Sequence, residues 1–174
     1  MKPIAALPIS LVLAGLGACS PALDWRETAA EGSGVVAMFP CRPDRHARSV
    51  ELVGAKLKMV MLVCPAAGST YALSFVDVPD PARVNAALVE LRAAALRNVQ
   101  APLPSTAPAQ VAGMTPNAEA VRLSASGRLP DGVAVQVHAV FFAKGLRVYQ
   151  GSVIGAKVAA EANEVFFAGF RFPA

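Results

Sequence analysis

Three cysteines and two histidines are the side chains in this sequence best suited to bind a metal or to act as nucleophile and base. Cys41, His46 and Cys64 lie within one stretch of the chain. Thiolate sulfur combined with imidazole nitrogen is a ligand set typical of zinc or copper. Only three such ligands are visible there, so a disulfide between Cys41 and Cys64 is the competing interpretation.

The third cysteine, Cys19, ends an N-terminal segment that is typical of export. Lys2 supplies positive charge, and the apolar run 4–16 is too short to span a membrane. A Leu-Gly-Ala triplet at 16–18 precedes the cysteine, which resembles the cleavage site of bacterial lipoprotein precursors. The resemblance implies lipidation of Cys19 and a membrane anchor. Ser20 is similar to the pattern sorted to the outer membrane, with the domain facing the periplasm.

Export places the remaining cysteines in an oxidising compartment, where disulfides form and persist. Once Cys19 carries lipid, Cys41 and Cys64 are the only cysteines left, and they form an even pair. We therefore predict a disulfide between Cys41 and Cys64 and no metal site, with the metal site kept as the alternative.

Serine and histidine side chains could form a nucleophile and its general base. The sequence has no Gly-x-Ser-x-Gly turn, so His138 would have to meet Ser74 or Ser152 through the fold. The polar residues lie on separate predicted elements, and no spacing forces them together. We therefore predict no catalytic residues and no cofactor, with an extracytoplasmic hydrolase as an alternative.

Arg42, Arg45 and Arg48 form the one local cluster of positive charge, with His46 among them. Basic side chains near a membrane attract anionic headgroups, so these arginines are candidate surface-binding residues. The whole chain carries a formal charge of +4, and about +3 remains once Lys2 is removed with the signal. This charge is too small for a basic nucleic-acid-binding stripe, and we predict no nucleic-acid partner.

The length and periodicity of the chain predict how these residues are positioned. Residues 1–18 are a signal peptide, 19–33 a lipidated tether with Trp25 docked on the domain, and 34–174 a single globular domain. Alternating apolar residues predict strands at 34–39, 49–53, 56–64, 70–78, 119–129, 133–143 and 146–154. Two-residue turns are predicted at 54–55 and 144–145.

A helix is predicted to start at Asp80 and Pro81, since these residues suit the cap and the first helical position. Its apolar stripe consists of Val84, Leu88, Leu91, Ala95 and Val99. A second helix is predicted over 156–166, and the prolines and glycine of 101–117 predict an exposed loop. Because hairpins dominate, we predict an α+β fold in which two helices pack on an antiparallel sheet of about six strands.

Several short motifs resemble the PsbP-like family of small extracytoplasmic domains, which includes bacterial lipoproteins. They are Trp25, a Gly-x-x-x-x-Phe-Pro strand end at 34–40, the following hairpin, Ser-Phe at 74–75 and Gly-Phe-Arg-Phe at 169–172. Cys41 stands where the family-like pattern often has glycine. The resemblance implies a domain that binds other proteins and helps assemble complexes.

We therefore expect a noncatalytic binding or assembly module, anchored to the membrane at Cys19, with an envelope protein as a candidate partner. The segment 42–48 and the loop 101–117 are the exposed features expected to carry recognition. The alternative is a carrier of a small apolar ligand or lipid. A carrier needs a cavity of roughly 300 Å³, lined by residues such as Met59, Met61, Phe75 and Phe141.

Overall fold

The computed structural model describes residues 23–173. The strands in this range are β1 (Arg26–Ala29), β2 (Val36–Phe39), β3 (Asp44–Leu52), β4 (Ala55–Ala66), β5 (Ser69–Asp77), β6 (Ser105–Pro108), β7 (Val121–Arg128), β8 (Ala134–Lys144) and β9 (Arg147–Gly155). The helices are α1 (Val84–Asn98) and α2 (Ala160–Ala168). A short 3-10 turn, Pro81–Arg83, leads into α1.

Seven strands form one sheet in the order β3-β4-β5-β9-β8-β7-β6, and all neighbouring pairs are antiparallel. Strands β1 and β2 form a separate two-stranded ribbon. The predicted α+β class with an antiparallel sheet is confirmed. The main sheet has seven strands, one more than the approximate number predicted.

Both faces of the sheet are covered, which divides the apolar interior into two cores. On one face, α1 packs over side chains that include Met59 and Phe141. On the other face, the ribbon, α2 and the chain end cover side chains that include Phe75 and Phe142. Successive residues of a strand point to opposite faces, so the central strands supply apolar side chains to both cores.

Helix α1 forms as its periodicity predicts. The carboxylate of Asp80 accepts a hydrogen bond from the Ala82 amide at 2.8 Å and so caps the 3-10 turn that leads into α1. The buried positions of the helix are Val84, Ala87, Leu88, Leu91 and Ala95. This stripe packs α1 mainly over β8 and β9, so the helix covers one part of the sheet more closely than the rest.

Both predicted turn positions are wrong by one residue. Leu52 pairs with Ala55, which makes Val53 and Gly54 the central residues of the β3–β4 turn, with φ angles of 48° and 71°. Two positive φ angles are typical of the type I′ turn, whose twist matches that of a hairpin. The β8–β9 turn lies one residue later than predicted, at 145–146. A one-residue change in a turn moves the register by two positions, so each side chain keeps its face.

The predicted tether 19–33 contains part of the folded domain. Residues 26–29 are strand β1, which begins with Arg26 paired to Phe39 of β2. Trp25 packs edge-on against Tyr71 with 5.8 Å between ring centroids, as its predicted docking requires. The folded part therefore begins before residue 34, because the ribbon is needed to cover an apolar face of the sheet.

The segment 101–117 is only partly the exposed loop that its composition predicts. Residues Ser105–Pro108 form β6, an edge strand paired with β7, and proline is tolerated at such an edge. Ala109 and Val111 are buried in the core beneath the ribbon. The second helix also differs from its prediction, since α2 begins at residue 160 instead of 156.

Candidate functional site

The predicted disulfide between Cys41 and Cys64 is confirmed. The two Cα atoms are 5.9 Å apart, a normal separation for a bridge. Asp44 pairs with Val63 at the end of the β3–β4 ladder, which brings the chain before β3 alongside Cys64. Both sulfurs are taken up in the bond, so neither is a thiolate ligand. Within residues 23–173, no three His, Cys, Asp or Glu residues are grouped as a metal site requires.

The arginine cluster does not form one surface. Arg48 pairs with Met59 and lines a groove beneath α1. Arg45 pairs with Leu62 and lines a separate depression on the opposite face of the sheet. Odd and even residues of a strand point in opposite directions, so Arg45 and Arg48 lie on opposite faces of the sheet, while Arg42 precedes β3. The expectation of one basic patch is therefore wrong.

A groove with a volume of about 320 Å³ lies beneath α1. Strands supply its apolar floor, which consists of Val50, Leu52, Met59, Met61, Val63, Ala72 and Ile154. Helix α1 supplies the apolar wall, which consists of Leu91, Ala94 and Ala95. Hydroxyl groups of Thr70, Ser74 and Ser152 lie among these apolar side chains. We name this feature the α1 groove.

Two arginines border the α1 groove. Arg48 comes from strand β3, and Arg97 comes from the last turn of α1. None of the ion pairs within residues 23–173 includes either arginine. Glu90 also borders the groove, but its carboxylate accepts a hydrogen bond from the Val53 amide at 2.7 Å. Glu51 lines the groove as well, so its border carries two arginines and two glutamates, none of which forms an ion pair within residues 23–173.

The cavity predicted for a carrier is only half right. Met59 and Met61 line the α1 groove, as expected. Phe75 and Phe141 do not, because they are buried in the two cores on opposite faces of the sheet. The groove lies between α1 and residues of strands β3, β4, β5 and β9.

The serines and the histidine that a hydrolase would need are on different faces of the sheet. Ser74 and Ser152 line the α1 groove, whereas His138 lies on the face covered by α2. The partner of His138 is Ser124, directly opposite on β7, with 2.9 Å between Oγ and Nδ1. The nearby Glu164 carboxylate is held by Arg122 at 3.0 and 3.2 Å. These residues therefore do not form the chain of serine, histidine and carboxylate hydrogen bonds of a catalytic triad.

Burial shifts the protonation of His138. The loss of solvent around the ring lowers the pKa of His138, and the positive charge of Arg122 lowers that pKa further, against the opposing effect of Glu164. The imidazole is therefore neutral at pH 7, with one ring nitrogen able to donate and the other able to accept. The sequence signal for this pair is the polar alternation of β7, where Arg122, Ser124 and Ser126 share one face.

In comparison with known proteins, the chain matches no family model and no curated protein. No helix within residues 23–173 is long and apolar enough to cross a membrane. Cys19, the predicted lipidation site, lies outside the described residues. The resemblances to bacterial lipoproteins and to PsbP-like domains stay predictions.

Proposed function

We propose that this chain is a membrane-anchored envelope lipoprotein whose folded domain is a noncatalytic binding module for a small amphipathic ligand. The ligand has an apolar body and one anionic head. The observation that carries the proposal is the α1 groove, whose apolar floor is bordered by Arg48 and Arg97, and neither arginine forms an ion pair within residues 23–173.

The anchor is proposed from the sequence pattern that ends at Cys19. Two or more acyl chains hold a protein stably at a bilayer, because each buried methylene contributes about 0.8 kcal/mol. Ser20 favours the outer membrane, with the domain in the periplasm. This location brings the domain close to amphipathic molecules, since they partition at membrane surfaces.

The apolar part of the ligand is inferred from the groove's lining and size. A volume of about 320 Å³ is at the lower end of the range for small-molecule pockets. Met59 and Met61 suit a flexible chain, because unbranched methionine side chains adapt to irregular apolar surfaces. A short acyl chain fits these properties better than a rigid ring system.

The anionic head is inferred from Arg48 and Arg97. A guanidinium forms paired hydrogen bonds with carboxylate or phosphate, and such contacts are stronger than those between neutral groups. The two arginines come from different elements, so a head bound between them would hold α1 against β3.

A protein partner stays a prediction of the sequence. The segments expected to bind a partner are 42–48 and the loop 101–117. The arginines of the first segment are divided between two faces of the sheet, and the second contributes Ala109 and Val111 to a core. The α1 groove therefore favours a small ligand over an assembly partner as the main occupant of this domain.

The test is calorimetric titration of the Cys19→Ala chain, which carries no acyl groups, with decanoate, decanol and decyltrimethylammonium. We expect decanoate to bind most tightly of the three. Arg48→Ser should weaken the affinity for decanoate about tenfold, because one charge-assisted contact is lost. The affinity for decanol should change little on that substitution.

Arg45→Ser is the matched control, because Arg45 lies three residues away on the other face of the same strand. It should leave decanoate binding unchanged. Equal weakening by Arg45→Ser and Arg48→Ser would contradict the groove and favour a diffuse basic surface. Equal affinity for decanoate and decanol would contradict the anionic head.

A further inference from the structure

Leu103 is the most exposed large apolar residue within residues 23–173. It is 86% exposed, whereas the next, Val133, is 49% exposed. Pro102 and Pro104 flank Leu103. A proline ring fixes its own φ angle, and the residue before a proline is restricted to extended backbone. The two prolines therefore limit the freedom of the backbone that holds this leucine in solvent. A single exposed leucine is ordinary on a protein surface, so its position in the fold decides what it means.

Leu103 lies at the end of the main sheet where β5 and β8 begin and β9 ends. Ser69 of β5 and Gln136 of β8 both pair with Gly155, the last residue of β9. Gln136 lines the same surface depression as Leu103. The turn between β7 and β8 is at this end as well, because Val133 comes directly before β8. The two most exposed apolar residues therefore share one end of the sheet.

The chain enters the domain at this same end. The Asp24 amide donates a hydrogen bond to the carbonyl oxygen of Pro40 at 2.8 Å. Trp25 packs edge-on against Tyr71, the third residue of β5, with 5.8 Å between ring centroids. Residues 23–25 are thus fixed near the start of β5. We name this end, with residues 23–25, 102–103 and 129–133, the tether end.

The tether end is close to the proposed lipid anchor, and the inference rests on that anchor at Cys19. Cys19 precedes Leu23 by four residues, which can span at most about 14 Å. Acyl chains in a bilayer would therefore hold residues 23–25 near its surface. Leu103 precedes β6, which is four strands from β5, or roughly 20 Å across the sheet. A bilayer that meets the tether is wide enough to meet Leu103 too.

The charges at the tether end are close to balanced, with Arg26 and Asp24 joined in an ion pair. They are Arg26, Arg42, Arg97, Arg128 and Lys157 against Asp24, Asp44, Asp131 and Glu161. Attraction to anionic headgroups falls with each acidic group near the surface, so charge does not distinguish this end. The contact is therefore assigned to the apolar side chains.

We propose that the tether end is the surface of the domain that rests on the lipid bilayer, with Leu103 inserted among the acyl chains and Val133 at the headgroup boundary. Two apolar side chains bury too little area to hold a free protein at a membrane. Once the anchor is inserted, however, their contact with lipid is intramolecular in effect, so a weak contact suffices. The result is a fixed orientation of the domain, which a tether alone does not impose.

The test places a tryptophan at each end of the sheet and measures its contact with lipid. Trp25 is the only tryptophan of the chain, so Trp25→Phe removes the background signal. Leu103→Trp or Leu146→Trp is then added. Leu146 is the matched control, because it is an exposed leucine in the β8–β9 turn at the opposite end. The acylated chains are reconstituted in phosphatidylcholine vesicles that contain lipid brominated on its acyl chains, which quenches tryptophan on contact.

We expect Leu103→Trp to lose most of its emission and Leu146→Trp to keep most of it. Val133→Trp should be quenched to an intermediate extent. If Trp25→Phe does not fold, the same comparison is made with Trp25 kept, since its signal is common to both variants.

The mass of the purified chain shows whether Cys19 is acylated, which separates failure of the anchor from failure of the orientation. An unacylated chain would overturn the anchor and the inference with it. Equal quenching at positions 103 and 146 of an acylated chain would overturn the orientation alone. A blue-shifted Leu103→Trp emission that brominated lipid does not quench would also overturn it, because protein, such as a second copy of the chain, would then cover this residue.

Discussion

Asp77 and Arg147 face each other on neighbouring strands β5 and β9 and form a two-point ion pair, with 2.6 Å from Nε to Oδ1 and 2.7 Å from Nη2 to Oδ2. Arg147 also donates to the carbonyl oxygen of Gly32 and covers the ring of Phe75 at 5.1 Å. One side chain therefore joins the main sheet to the connection between β1 and β2.

This pair predicts a dependence of stability on pH. Hydrogen bonds from Arg147, aided by its charge and opposed by burial, lower the pKa of Asp77. A lowered carboxyl pKa contributes stability above about pH 4, and that stability is lost as pH falls through the folded-state pKa. Asp77→Asn should lower the free energy of unfolding by up to about 1 kcal/mol at pH 7, since the Asp77 side chain is 64% exposed and partly screened.

The measurement is urea denaturation of the wild type and of Asp77→Asn at pH 7 and pH 3. The difference in their free energies of unfolding should be smaller at pH 3. Asp44→Asn is the control, because Asp44 is exposed and takes part in no ion pair among the described residues. A difference at pH 3 as large as that at pH 7 would contradict the role of the charged pair.

We predict that ionisation of Tyr149 lowers the stability of the fold at high pH. Burial raises the pKa of Tyr149 to about 12, although Arg147 acts in the opposite direction. The phenol donates a hydrogen bond to the Ser33 carbonyl oxygen at 2.5 Å. Because the folded state holds this proton more tightly, its contribution is complete below about pH 10 and is lost as pH rises towards 12.

Phenolate absorbance of the wild-type protein should therefore show a transition near pH 12 that Tyr149→Phe removes. The substitution should also lower stability at pH 7 by about 1 kcal/mol, the value of one hydrogen bond. Persistence of that transition in Tyr149→Phe would assign it to Tyr71, whose pKa is also raised by burial.

The disulfide predicts a loss of stability when it is removed. Cys41 and Cys64 are 23 residues apart in the sequence, so the bond restricts a medium-sized loop in the unfolded chain. Replacing both by alanine should lower the free energy of unfolding by about 3 kcal/mol. Reductant should destabilise the wild-type protein by a similar amount and leave the double variant unaffected. A wild-type protein with two alkylatable thiols before reduction would refute the bridge.

A side chain at position 127 is expected to clash with the C-terminal end of α1. A Cβ atom at this position would lie 2.0 Å from the carbonyl oxygen of Val99, which accepts a hydrogen bond from Arg128 at 2.6 Å. Gly127→Ala should therefore force the helix end away from β7 and cost about 2 kcal/mol in thermal or urea unfolding. Ser126→Ala, on the exposed face next to it, should change stability by less than about 0.5 kcal/mol. Equal stability of the two variants would show that the backbone relaxes freely.

The proposed lipid anchor requires that Cys19 is the acylated residue. Cells supplied with a labelled fatty acid should incorporate the label into the wild-type chain and not into Cys19→Ala. The variant should also leave the membrane fraction, because the acyl chains are its proposed anchor. Cys41→Ala combined with Cys64→Ala controls for labelling at other cysteines and should retain the label. Unchanged labelling of Cys19→Ala would remove the basis for the envelope location.

Elements with a strong local pattern could be predicted from the sequence. The stripe that includes Val84, Leu88 and Leu91 identified α1, because helical spacing places these residues on one side whatever they pack against. The long strands were identified by alternation for the same reason. The pairing of Cys41 with Cys64 followed from counting cysteines in an oxidising compartment and is confirmed by the fold.

Two short strands were missed because their stability comes from distant partners. Strand β1 has four residues and forms by pairing with β2, and β6 has four exposed residues next to prolines and forms by pairing with β7. Neither has enough residues to show a period. Such segments acquire strand structure only when another strand offers its unpaired amides and carbonyls.

By itself, the sequence determined which segments form helices and long strands, which cysteines can bond, and where polar residues alternate with apolar ones. Only the tertiary structure decided which side chains meet. It separated Arg45 from Arg48, brought Arg48 and Arg97 to the border of the α1 groove, and placed Leu103 at the end of the sheet where residues 23–25 enter the domain. Local spacing sets the direction of a side chain, whereas strand register and helix packing set its neighbours from distant parts of the chain.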